Sequence, residues 1–257
     1  MMEIKQSTLI EIIDSEHEMA LSAPERYGEF YANAVAFIAL FSTFLKSISS
    51  DRYVFAMFLS QTRKHYMLAT LSAVRRHHIQ AMMDLRQVLE AGACAAYAVA
   101  NTDPADFADA DEQGLLDPAP QLTAKRYRWL EENFPQGSQG IKGMKDAINK
   151  TAAHANIVYA SNTFRIAEGW KRFDTPFFDM EDEHFVKVDL WQTANIALGL
   201  LDLFYGVAQH YGGVVFADDF LPRFNESAAI NQKLKDQMMA TERYQNAMAI
   251  AEGASRR

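Results

Sequence analysis

Residues 51–101 read DRYVFAMFLSQTRKHYMLATLSAVRRHHIQAMMDLRQVLEAGACAAYAVAN, with no Pro and no Gly before Gly92. Without a breaker, so long a stretch favours helix, and its length asks for one very long helix or two joined near Arg75 to His78; we take two. The apolar residues, among them Val54, Phe55, Met67, Leu71, Ile79, Leu85 and Leu89, fall on every side of a helical wheel. That distribution marks the centre of a bundle, where a helix is buried all round.

The flanks agree with a mainly α chain, a multi-helix bundle with long central helices. Residues 3–20 make a first helix, and Ser22, with Pro24 and Glu25 just inside, is the expected cap of a second running to about Ser47. Ser49-Ser50-Asp51 marks a stop and restart. Residues 102–122 hold Pro104, Pro118 and Pro120 with six acids and no base, which reads as a solvated acidic connector. Thr123 is the expected cap of a helix ending at Phe134-Pro135. Gln136-Gly-Ser-Gln-Gly140 reads as a turn before a helix from about Ile141 to Tyr159. Between 161 and 178 the alternation of Thr163-Phe-Arg-Ile and Lys171-Arg-Phe, with Gly169 at a turn, predicts a small β-hairpin. Glu181-Asp-Glu-His184 opens a helix that Gly212-Gly213 ends near Tyr211. Asn225 is the expected cap of a C-terminal surface helix over about 225–253, with a narrow apolar stripe through Ile230, Leu234, Met238, Thr241 and Met248. The whole of 1–257 is taken as a single helical domain.

Composition narrows the function classes. The chain has 257 residues, 49% hydrophobic and 23% charged, enough to bury a core. Its 25 Lys+Arg and 33 Asp+Glu leave a net charge of −8, so a chain-wide basic coat for nucleic acid is absent. The single Cys, Cys94, lies in the run Ala91-Gly-Ala-Cys-Ala-Ala96, as a buried thiol does, and suggests a cytoplasmic protein. Met1-Met-Glu-Ile-Lys-Gln6 has no signal-peptide pattern, and the most apolar later stretch, 194–208, is too short for a bilayer, so no membrane is expected. His-Glu-x-x-His, Cys-x-x-Cys, a Gly-rich phosphate loop and Gly-x-Ser-x-Gly are missing, and neither Glu181-x-x-His184 nor Asp14-x-x-His17 has the inward carboxylates a di-metal bundle needs. No metal and no cofactor are expected.

Three polar groups stand out. Arg86 and Glu90, at i and i+4, are the only charges between Leu85 and Ala100, so they share a face and are expected to be buried as a latch or as part of a site. From Arg52 to Met83 there are five Arg and Lys and no acid. Lys64, Arg75 and Arg86 are spaced by eleven, which on a continuous helix lines them up as one stripe that could read phosphate in a groove. The alternative is electrostatic balance, with the acidic connector lying against this segment. Asn149-Lys150-Thr-Ala-Ala-His154 puts Lys150 and His154 on adjacent turns, and Asp202, the only charge between Leu190 and Gln209, is expected to seek Arg86, Lys150 or His154 across the bundle.

Arg86-x-x-x-Glu90 late in a helical hairpin, then Lys150-Thr-Ala-Ala-His154, then a hairpin before another apolar helix, resembles HEPN-like helical domains and bacterial proteins related to them, over about residues 30–210. Members that cut RNA use an Arg followed after four to six residues by a His, commonly across a dimer interface. No Arg precedes a His at that spacing here, and the nearest base ahead of His154 is Lys150. Two functions remain. The first is a non-enzymatic homo-oligomeric binding module, a homodimer joined through its terminal helices, that takes a partner or a small anionic ligand near Arg75, Arg86, Glu90, Lys150 and Asp202. The second is what the resemblance implies: an RNA-cleaving HEPN-like protein with His154 as general acid or base and Lys150 or Arg86 steadying the phosphate.

Overall fold

A computed structural model describes residues 3–5, 7–111, 113–114, 116–152, 157, 160, 164–167, 172–179 and 182–255. Among them are nine α-helices: α1 (Leu9–Tyr27), α2 (Glu29–Thr43), α3 (Tyr53–Val74), α4 (His78–Ala100), α5 (Leu122–Asn133), α6 (Pro135–Thr151), α7 (Glu183–Tyr211), α8 (Phe220–Met239) and α9 (Glu242–Ser255). The chain is a mainly α multi-helix bundle. Short strands accompany it: β1 (Glu3–Lys5), β2 (Leu45–Ile48), β3 (Ala108–Ala110), β4 (Leu116–Pro118), β5 (Arg165–Ala167), β6 (Arg172–Asp174) and β7 (Val214–Phe216). No described helix is long and apolar enough to cross a membrane.

The quoted stretch folds as a hairpin of α3 and α4 that breaks at Arg75–His77, where Arg76 takes φ 65°. The break has a tertiary anchor. His77 supplies no side-chain cap to α4; instead the Asp179 carboxylate accepts from Ile79 N–H at 3.2 Å, and Asp179 N–H donates to Arg76 O at 3.0 Å. The break also removes the straight stripe of Lys64, Arg75 and Arg86, which needed one continuous helix. α4 is the central element, packed by α3, α5, α6 and α7, whereas α3 is not buried all round as expected: Met57, Met67 and Leu71 are exposed, because its other face alone meets the bundle. Its small-residue run lets α7 come close: a Cβ on Gly92 would lie 2.6 Å from Leu200 Cδ2. Cys94 is buried as expected.

The hairpin expected at 161–178 forms from antiparallel β5 and β6, with Ile166 opposite Phe173, and β1 adds a third strand parallel to β6. Its expected turn at Gly169 lies outside the described residues. Gly212 and Gly213, at φ 66° and 77°, end α7 as expected. β7 then returns antiparallel to β2, a pairing between residues too far apart in sequence for local pattern to reveal.

Several boundaries differ from the expectation. Residues 3–5 are strand, and Ser22 caps nothing: its hydroxyl donates to Glu18 O at 2.8 Å, Pro24 stays in the last turn of α1, and Gly28 at φ 51° makes the break. Gly28 reaches that conformation cheaply, whereas Pro24 costs only one interior hydrogen bond near a helix end. Thr123 falls inside the first turn of α5, whose N-cap position is Gln121. Gln136–Gly140 is no turn, because α6 runs through it from Pro135. A Cβ at Gly137 would come 3.0 Å from Leu203 Cδ1, so the glycine sits where two helices meet. The acidic connector carries the β3–β4 pair, and Phe107 within it is buried against Phe58 and Tyr97. Asn225 is not a cap. α8 starts more than a turn earlier because Phe220 inserts among Phe44, Tyr205 and Phe216, and a break near Ala240 separates α9. α8 lies on the surface, anchored along one narrow stripe: Leu234 is buried, and Asn231 accepts from Asn33 Nδ2 at 3.0 Å and donates to Asn195 Oδ1 at 3.3 Å.

Candidate functional site

On α4, Arg86, Glu90 and Cys94 recur every four residues and so point one way, toward α5 and α6. Arg86 Nε lies 3.4 Å from Glu90 Oε1, and Lys145 of α6 approaches the same oxygen at 3.1 Å. Lys145 Nζ also donates to Tyr127 Oη at 2.7 Å. Beside them Arg126, 6% exposed, donates from Nη1 to the Cys94 sulfur, and its guanidinium lies 4.8 Å from the Tyr127 ring centre. Three cations, Arg86, Arg126 and Lys145, thus gather around a single carboxylate.

The electrostatics follow. Burial pushes the Glu90 carboxyl up, but the hydrogen bond and charge of Lys145, then the charges of Arg126 and Arg86, outweigh it and hold Glu90 below the usual carboxylate range. Burial raises the Cys94 thiol despite Arg126, so the sulfur stays protonated and supplies no counter-charge. Among the described residues Arg86 Nε and Arg126 Nε are buried and donate no hydrogen bond, and Asn149 Oδ1 is buried and accepts none. Next to this network a pocket of about 320 Å³ opens between α5 and α6, lined by Tyr127, Glu131, Ser138, Lys142, Lys145, Asp146 and Asn149. Lys145 is the link, since it lines the pocket and holds Glu90. No protein-family model, curated protein or solved structure matches the chain. The site is therefore read from its own geometry.

The expected residues do not converge. Arg86 and Glu90 pair, although half-buried rather than sealed, and their partner on α6 is Lys145. Lys150 is exposed in the last turn of α6, and His154 lies outside the described residues. Asp202 is exposed and has no ion pair among the described residues. It sits on a groove between α6 and α7 with Gln136, Gly137, Gly199 and Leu203. Arg75 belongs to a separate cluster at the α3–α4 turn, where Glu16 of α1 meets Arg75 at 3.3 Å and His77 at 2.7 Å. Beside it His78 Nδ1 lies 2.9 Å from buried Asp189, and further along the hairpin His65 Nδ1 lies 3.0 Å from buried Asp84. The acids that meet the base-rich stretch are thus Asp51, which pairs with Arg52, and Glu16, Asp84 and Asp189 of α1, α4 and α7, while Asp106 of the connector pairs with Lys125. Among the described residues no three His, Cys, Asp or Glu side chains gather as a metal requires.

Arg126 and Lys145 escaped the reading of the sequence, yet a signal was present. Leu122, Arg126 and Leu130 recur every four residues and are the buried face of α5. Lys145 stands between Ile141 and Ile148, both buried, on the inner face of α6. A cation on the apolar stripe of an otherwise polar helix must meet a partner inside, and here both meet the face of Glu90.

Proposed function

We propose that the protein is a non-enzymatic helical binding module whose pocket between α5 and α6 takes a small anion that also carries hydroxyl or amino donors. The observation that supports this is the arrangement of charge: Arg86, the buried Arg126 and Lys145 share the single carboxylate of Glu90, and Lys145 also lines the pocket, where a bound anion would give these cations a further partner. Lys142 and Lys145 on the pocket wall offer donors to that anion, while Asn149 Oδ1, Glu131 and Asp146 favour a ligand that donates in return. Binding suits the site better than covalent chemistry, because the thiol of Cys94 is buried with a raised pKa. The ribonuclease expectation is not carried further, since His154 lies outside the described residues.

Calorimetric titration with inorganic phosphate and with glycerol 3-phosphate tests the reading. Both are expected to bind, glycerol 3-phosphate more tightly, and Lys145→Met is expected to weaken binding at least about tenfold, which corresponds to about 1.4 kcal/mol. Absence of heat from both ligands, or equal affinity in the variant, overturns it.

A further inference from the structure

The outward face of α3 carries a pattern that neither the core nor the pocket uses. Tyr53, Met57, Ser60, Lys64, Met67 and Leu71 are all exposed and follow one another by four, three, four, three and four residues. This is the spacing of a coiled-coil seam. It faces solvent, with Tyr53 48%, Met57 63%, Met67 38% and Leu71 44% exposed. The opposite face, with Phe55, Thr62, Tyr66 and Ala69, is buried in the bundle. The seam spans about 27 Å at 1.5 Å per residue.

The seam is also symmetric about position 62. Run antiparallel against a second copy, it sets Tyr53 opposite Leu71, Met57 opposite Met67 and Ser60 opposite Lys64. The flanking exposed pair Gln61 and Arg63 likewise face each other. An antiparallel pair therefore places each cation opposite a neutral side chain, with small Ser60 leaving room for the Lys64 stem to reach water. A parallel pair would set Lys64 on Lys64 and Arg63 beside Arg63, with no acid on α3 to answer them. A single Lys in such a seam costs stability but selects register and orientation. We infer that α3 is the docking surface for a second copy of this chain, in an isologous two-fold antiparallel helix pair centred on position 62. This moves the dimer contact from the terminal helices to the middle of the chain, and each contact in it occurs twice, as closed two-fold symmetry requires.

Sedimentation velocity from about 1 µM to about 500 µM, the range in which a modest apolar contact associates, tests the assembly. Wild type is expected to move with concentration from 29.0 kDa toward twice that mass. Met57→Glu is expected to weaken association at least tenfold with an unchanged circular dichroism spectrum, because position 57 is on the surface. Orientation is read by oxidation. M57C/M67C is expected to give a reducible covalent dimer, and M57C alone is not; buried Cys94 does not compete. Wild type that stays monomeric at the highest concentration, Met57→Glu that associates like wild type, or M57C that cross-links alone each overturns the inference. None of these results depends on anion binding.

Discussion

Replacing Glu90 by Gln keeps the shape and removes the one negative charge that Arg86, Lys145 and Arg126 share. At 3.1 Å and 3.4 Å, two of those contacts are each worth about 5 kcal/mol in an effective dielectric of about 20, before hydration is counted. Glu90 is 29% and Arg86 31% exposed, so solvent recovers much of that sum. The case lies between a buried pair, where loss of one partner costs about 3–5 kcal/mol, and a surface pair worth about 0–1 kcal/mol. We expect Glu90→Gln to cost about 2 kcal/mol at pH 7, a fall in Tm of about 4–8 °C for a chain of this size. The assay is thermal and urea unfolding of wild type, Glu90→Gln, Lys145→Met and the double variant. Glu90→Gln should cost less in the Lys145→Met background, because one of the stranded cations is then gone. The pH dependence has a definite sign. The folded-state pKa of Glu90 is lowered, so its contribution is full above the unfolded value of about 4.3 and disappears as pH falls through the folded one. The gap between wild type and Glu90→Gln should therefore close in acid, and phosphate should raise the Tm of Glu90→Gln more than that of wild type. A cost within about 0.5 kcal/mol of zero at pH 7, or the same cost in both backgrounds, would refute the shared-carboxylate account.

Two further outcomes are expected. Burial lowers the His78 pKa, but the hydrogen bond and charge of Asp189, with Asp179, raise it overall, so its contribution is full below the unfolded value of about 6.5 and is lost as pH rises through the folded one; the stability difference between wild type and His78→Gln, followed by urea unfolding from about pH 5.5 to 8.5, should shrink with rising pH, and a constant difference would sink the pairing. Gly92→Ala should destabilise by about 1 kcal/mol although alanine is the better helix former, because its Cβ meets Leu200, which is itself 1% exposed; a stabilised variant in the same urea assay would show that Leu200 yields freely.

Local pattern made the α3–α4 hairpin, the buried Cys94, the β5–β6 pair and the stop at Gly212 legible, because each rests on side-chain period or on backbone freedom within a few residues. The α6 glycines misled for an opposite reason. Gly137 is a turn signal by composition, but the side chain it avoids, Leu203, stands on another helix. Ser22 and Asn225 misled likewise: both have the right chemistry for a cap, and neither is used, since Gly28 and the insertion of Phe220 set those boundaries. At the site, the i and i+4 spacing of Arg86 and Glu90 was visible in advance, and their partner was not.

The sequence by itself determined that the chain is a helical bundle with the 51–101 stretch as a central element, and that Arg86 and Glu90 form a charged pair on one face of a helix. These follow from periodicities of three to four residues, which the local backbone enforces. Only the tertiary structure decided that Lys145 rather than Lys150 meets Glu90, that Arg126 lies beside Cys94, that Asp202 faces solvent, and that the seam on α3 is left uncovered. Each of those depends on which helix faces lie together, and that is set by the summed packing of side chains distant in sequence, such as Gly92 against Leu200.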